Sequence, residues 1–359
     1  MTALSTNGLL VEFRAGKRLA LSRAISLVEN AGPGFDALLS ELHASTGRAH
    51  RIGVTGPPGA GKSSLAAALV QRYRARGETV GIVAVDPSSP FTGGALLGDR
   101  IRMNELATDP GVFIRSMASR GSLGGLALAT KEVADVLDAF GFDRVLLETV
   151  GVGQTELDVA SAADTTIVVL TPESGDAVQA MKAGLMEISD VFVVNKSDRP
   201  GAERLAREIE QMLGLRAGRA YPGVPRAGAG AEAEAEAGAG RSPPTGAPQP
   251  QPKPQPRVAG QGGASDIPVI RTSAESGDGI DALIDALDHH RGWLQATGEL
   301  TRRRRQRHAE RVRQAVDRQI RERTWQDGRE ILEDALPALA SGAETPYQVA
   351  ARIVRALLG

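Results

Sequence analysis

The chain has 359 residues, with 42 Lys+Arg against 43 Asp+Glu and no cysteine, and its formal net charge is -1. Without cysteine there is no disulfide framework, thiolate zinc site, iron-sulfur cluster or catalytic thiol, and the charge balance gives no global case for binding nucleic acid. Hydrophobic residues make up 42% and aromatics 3%, enough for a sizeable core but thin for a surface that stacks sugars or bases. No run approaches the ~18 consecutive apolar residues of a membrane helix, and the start, MTALSTNGLLVEFRAGKR, has no signal-peptide pattern, so a cytoplasmic protein without membrane contact is expected.

Residues 1–48 read as an N-terminal helical segment, with Leu19, Leu21, Ile25 and Val28, then Leu38, Leu39 and Leu42, at helical spacing. From 49 to 290, short β-branched runs alternate with helical patterns, and strands are predicted at 51–55, 80–85, 144–148, 165–170, 191–195 and 267–272. Such near-continuous apolar runs suit strands buried on both faces, which implies right-handed crossovers and a mostly parallel sheet flanked by helices.

The first strand runs into Gly56-Pro57-Pro58-Gly59-Ala60-Gly61-Lys62-Ser63-Ser64, a full match to G-x-x-x-x-G-K-[ST] that opens a helical pattern. The fold class is therefore α/β, of the P-loop NTPase type. Loop amides and the helix N-terminus converge on a β-phosphate, Lys62 reaches the β- and γ-phosphates, and the Ser63 hydroxyl is a ligand for Mg²⁺. Two strand ends supply carboxylates to such a site. Asp86 ends the second strand, and Glu148 begins E-T-V-G, where many P-loop proteins carry Asp in D-x-x-G; either side chain would otherwise serve as a cap or turn residue. The Gly151 amide is placed to sense a γ-phosphate.

The strand at 191–195 leads into Asn195-Lys196-Ser197-Asp198, an N-K-x-D match. A carboxylate at Asp198 accepts from N1–H and the 2-amino group of guanine together, whereas adenine presents an acceptor at N1, so GTP is expected in preference to ATP. After the last strand, Thr272-Ser273-Ala274-Glu275 forms a turn whose amides are expected to approach guanine O6. Between these motifs lies 217–264, with 10 Gly, 9 Pro and only two Val and one Tyr as larger apolar residues, a low-complexity insertion expected to be disordered.

Residues 291–359 read as a helical arm. Ten arginines against Glu310, Asp317 and Glu322 fill 302–323, leaving the rest of the chain at -8. Val312, Val316 and Ile320 recur every four residues, so a helix with a narrow apolar stripe and a basic face is expected. The ordinary arrangement solvates the charges and packs the stripe, either on the same chain or on another subunit.

Taken together, GPPGAGKSS at 56–64, VDPSSPFTGGALLGDRIRM at 85–103, ETVGVGQTE at 148–156, NKSD at 195–198 and TSAESGDGI at 272–280 resemble the cobalamin-linked P-loop GTPases that include the MeaB, ArgK and MMAA proteins. The resemblance covers most of 1–216 and 266–359. It implies a GTPase that chaperones a coenzyme-B12-dependent acyl-CoA mutase, gating delivery of intact cofactor and protecting the mutase, with GTP/GDP and Mg²⁺ bound. By motif, Asp86, Asp99 and Glu148 look like the acidic group around Mg²⁺, and Lys182 resembles a switch residue that responds to the partner. The resemblance also implies a homodimer formed through the C-terminal arm. No Gln follows Gly151 directly, and Gln154 is three further on, so slow intrinsic turnover stimulated by the mutase is expected. The alternatives are a metallochaperone GTPase, disfavoured by zero cysteine and by His289-His290 as the one adjacent histidine pair, a kinase or ATPase linked to amino-acid transport, disfavoured by NKSD, and a nucleotide binder that does not hydrolyse.

Overall fold

The computed structural model describes residues 6–87, 106–119, 125–149, 155–173, 185–216 and 267–358. One parallel sheet is built from β1 (His50–Thr55), β2 (Val80–Pro87), β3 (Val112–Ser119), β4 (Arg144–Thr149), β5 (Thr165–Leu170), β6 (Val191–Val194) and β7 (Val269–Arg271), in the order β3-β2-β4-β1-β5-β6-β7. Six strands match the expected positions to within two residues at either end. The seventh, β3, was not anticipated. It is an edge strand paired only with β2, and Arg115 and Ser116 interrupt its apolar run. Arg115 turns that interruption to use, pairing with Glu29 and donating to Ser26 Oγ 3.2 Å away.

Successive residues of the inner strands point to opposite faces, which is why their sequences are apolar without a break. Val83, Val85, Val145 and Leu147 pack under α1 (Thr6–Arg14), α2 (Arg18–Glu29), α3 (Phe35–Leu42), α5 (Gly125–Phe140) and α6 (Thr155–Ala162) through Leu9, Phe13, Leu21, Ile25 and Leu137. Ile82 and Leu146 face the other way, onto α4 (Lys62–Ala75) and α8 (Ile280–Ala296), with Leu65, Leu69, Tyr73 and Ile284. Helix α7 (Ala202–Arg216) covers the β5–β6 end through Leu205 and Ile209. Gly53 of β1 has no room for a side chain without displacement, since a Cβ would lie 3.1 Å from both Ala163 Cβ and Val159 Cγ1.

The C-terminal region is a long helix, α9 (Glu299–Ser341), folded back on α10 (Pro346–Leu358). Their seam is Ile331, Leu332, Ala335 and Leu339 against Val349 and Ile353, and it is close enough at Gly328 that a Cβ there would sit 2.6 Å from Ile353 Cγ2.

The first half of α9 inverts the ordinary arrangement. Five of the ten arginines in 302–323, Arg303, Arg304, Arg307, Arg311 and Arg318, face the body, the first three docking along the N-terminal edge of the sheet. Arg303 makes a two-pronged bond to Asp190 (2.9 and 2.8 Å), Arg304 does the same to Asp164 (3.2 and 2.8 Å), and Arg307 reaches Asp164 Oδ1 at 2.5 Å. Arg304 and Arg307 also donate to the carbonyls of Ala49 (3.0 Å) and Ala163 (2.5 Å). Arg311 pairs with Asp135, and Arg318 pairs with Glu132 while lying 4.4 Å over the Phe35 ring. Val312, Val316 and Ile320 point outward, at 64%, 46% and 52% exposure. Carboxylates at the edge of the body reward inward arginines, because a planar guanidinium gives two parallel bonds and tolerates partial burial.

Beneath the arm lies a row of buried polar groups. Arg51 spans Asp135 (2.6 Å) and Asp138 (2.9 Å), and Asp138 also accepts from the amides of Gly47, Arg48 and Ala49. His50 lies between Arg144 (3.0 Å) and the Thr165 hydroxyl (2.8 Å). Among the described residues no helix is long and apolar enough to cross a membrane.

Candidate nucleotide-binding site

Strand β1 lies centrally, between β4 and β5, and the chain leaves its carboxyl end as the glycine loop before turning into α4. Two of the glycines are fixed by close approach. Gly56 has φ 138° and a Cβ there would fall 2.1 Å from the Val169 carbonyl oxygen of β5; Gly61 has φ 82° and a Cβ would fall 2.4 Å from Asn195 Nδ2. The loop is thus pressed against the strands on one side, with Pro58 and Gly59 exposed on the other and Ser64 half-buried on the first turn of the helix. The opening amides of α4 lack intrahelical partners and carry the positive end of the helix dipole.

Lys62 opens that helix, is buried, and curls over the loop so that Nζ donates to the carbonyls of Gly56 (2.8 Å) and Pro57 (3.0 Å). Ser63 follows. Its hydroxyl donates to Glu148 Oε1 at 2.5 Å, and both side chains are buried. Glu148 is brought there by register, since it stands opposite Val54 on β1 and Ala84 on β2. A hydroxyl and a carboxylate are hard oxygen donors, the chemistry that suits Mg²⁺. The backbone of Asp86 stands at the carboxyl end of β2, opposite Ala118. Its side chain, like Asp99, Gly151, Lys182 and the insertion at 217–264, lies outside the described residues.

The N-K-S-D turn stands on the same edge of the sheet. Asn195 is a staple: Nδ2 donates to Ala60 O in the glycine loop (2.9 Å), while Oδ1 accepts from Thr272 Oγ1 and the Ala274 amide, both 3.2 Å. The Ala274 amide, expected to approach a base, is therefore engaged inside the protein, as is the Ser273 amide, which donates to Asp278 O at 3.0 Å. Ser197 N donates to Thr272 O (2.9 Å), which ties the turn to β7. Asp198 and Glu275 are exposed at the rim. Lys196 holds φ 54°, a left-handed conformation that costs a non-glycine residue about 1–2 kcal/mol and persists where neighbours fix it.

Glu173, which follows β5, pairs with both Lys196 and Arg199. This contact was not foreseen. Its signal in the sequence is faint, a carboxylate just past the end of the strand that neighbours the N-K-x-D strand.

A chain of phosphates laid along this loop would meet the helix amides, the Lys62 ammonium and the Ser63–Glu148 pair in succession, and the class so defined is the P-loop nucleoside triphosphatases. The family model of the methylmalonyl-CoA mutase-associated GTPase MeaB matches residues 21–329. The chain belongs to that family and is a GTP hydrolase. A putative GTPase of Pyrococcus abyssi is 40% identical over 352 residues, covering 98% of this chain and 96% of its own. The mitochondrial methylmalonic aciduria type A homolog of Mus musculus is 32% identical over 310 residues, covering 82% and 65% respectively. The crystal structure of a LAO/AO transport system kinase shares the fold, with a TM-score of 0.63 at 24% identity over 100% of this chain and 99% of that one.

Proposed function

We propose that this GTPase is a chaperone of a coenzyme-B12-dependent acyl-CoA mutase of the methylmalonyl-CoA type, gating cofactor loading and protecting the mutase, in the cytoplasm and without nucleic-acid or membrane partners. The observation that carries the reading is the match of the mutase-associated family over residues 21–329.

Within that reading, Lys62 leaves its carbonyl partners to hold the β- and γ-phosphates and offsets charge that builds on them as the γ-phosphoryl departs. Ser63, with Asp86, Asp99 and Glu148 around it, would hold Mg²⁺, which supplies charge neutralisation across the phosphates. Asp198 reads the guanine edge, supported by its exposed place on a turn fixed from three sides. Gly151 senses the γ-phosphate and Lys182 responds to the mutase. Water positioning by these residues alone is incomplete, so turnover is slow until the mutase orders the loops.

The outward stripe Val312, Val316 and Ile320 supports a homodimer: the body-facing side of the helix is already taken by Arg303, Arg304, Arg307, Arg311 and Arg318, and a second copy of the same stripe is a self-complementary cover. The test mixes purified protein with an acyl-CoA mutase loaded with cobalamin and follows complex formation and phosphate release. Binding with accelerated GTP hydrolysis is the expected result. No complex and an unchanged rate with methylmalonyl-, isobutyryl- and hydroxyacyl-type mutases would sink the proposal.

A further inference from the structure

The four residues 196–199 form a tight turn, closed by the Arg199 amide donating to Lys196 O at 3.0 Å, and Asp198 is its third residue. The carboxylate of Glu173 grips both ends of that turn. Oε2 accepts from Lys196 Nζ at 3.3 Å, and Oε1 pairs with the Arg199 guanidinium. Glu173 comes from outside the turn, three residues past the end of β5, so it ties the carboxyl end of one strand to the loop of its neighbour.

Two cations therefore flank Asp198 in sequence, and among the described residues neither pairs with it. Released, Arg199 has the length to swing onto the carboxylate next to it, and a guanidinium laid across both oxygens occupies the acceptors that a guanine N1–H and 2-amino group would use. The contact also holds Lys196 toward Glu173 from a left-handed backbone conformation that Lys would not choose alone. We propose that Glu173 is a positioning residue for base specificity, which clamps Lys196 and Arg199 at the two ends of the turn and keeps the Asp198 carboxylate free for guanine. This rests on the reading of Asp198 as the base-recognition residue.

Because the pair is half exposed, its effect is moderate. In Glu173→Gln the clamp loses its charge and Arg199 competes for Asp198. The ratio of GTP to ATP affinity, read by displacement of a fluorescent guanosine diphosphate at low ionic strength, should fall about fivefold. The loss should shrink as salt is added, since the competing pair is screened. Removing the competitor should repair it. Glu173→Gln combined with Arg199→Ala is expected to return to within about twofold of the wild-type ratio, and Arg199→Ala alone to retain it. A merely structural role would not show that recovery. Wild-type selectivity in Glu173→Gln, a double variant as defective as the single, or an equal loss in Arg199→Ala alone each overturns the clamp. A wild-type protein that takes ATP as well as GTP removes the base-site reading itself, a result separate from failure of the clamp in a guanine-selective protein.

Discussion

Replacing Asp164 with alanine should loosen the C-terminal arm without disturbing the nucleotide edge. The carboxylate is fully buried and accepts from Arg304 twice, from Arg307, and from the Arg51 amide at 3.2 Å. Burial alone would raise its pKa, yet Arg307 and Arg304 hold it below the ordinary carboxylate range, so the charged form is favoured in the fold. Removing one member of a buried, hydrogen-bonded ion pair costs about 3–5 kcal/mol because the charges left behind are unpaired. Here the two arginines keep the Ala49 and Ala163 carbonyls, which places the expected loss at the low end, about 3 kcal/mol. That raises the population of the undocked arm by about two orders of magnitude. Trypsin reads this directly, since ten arginines lie between 302 and 323 and a polar helix released from the body frays. Faster nicking there, a lower urea midpoint and unchanged GTP affinity are expected, with Asp164→Asn intermediate. Nicking and midpoint at wild-type values in Asp164→Ala would refute the docking energetics.

Three further outcomes follow from the geometry. Burial, helped by Arg144 and opposed by Asp164, pushes His50 down to about 3. An unfolded histidine takes a proton near pH 6.5, so stability is lost as pH falls from about 6.5 toward 3, by about 2 kcal/mol at pH 5; urea melts at pH 7.5 and 5 should show this, and His50→Gln should flatten it. Gly56→Ala puts a methyl group 2.1 Å from Val169 O at φ 138°, and should both abolish GTP binding and lower the melting temperature. Val316→Asp should shift a dimer to monomer in light scattering while leaving the monomer's thermal unfolding close to unchanged, because Val316 touches solvent in the single chain.

The phosphate loop was fully legible in the sequence because its chemistry is local: nine consecutive residues specify the turn, the ammonium and the hydroxyl. The strands were legible for a similar reason, since burial on both faces writes an unbroken apolar run. Edge strand β3 was not, because Arg115 answers a partner on α2 nearly ninety positions away. The arm was read correctly as a helix with two faces, but the basic face expected in solvent sends five of its arginines onto the body. Asp164 and Asp190 each look like an ordinary residue preceding a strand. Only the parallel register brings both to one edge, where they accept Arg303, Arg304 and Arg307. Asn195 shows the same limit within the site. Its motif marked the right loop, but its bond to Ala60 depends on how close β6 comes to the glycine loop.

Strands β5 and β6 have a further mechanical meaning. Each begins directly after an aspartate that anchors α9; β6 ends directly before Asn195 and β5 three residues before Glu173, the buried, inextensible strands spanning about 13 and about 20 Å. The arm is thus bolted to the same rods that carry Asn195 and Glu173. Two copies joined through their arms would hold their nucleotide sites at a spacing set by these strands.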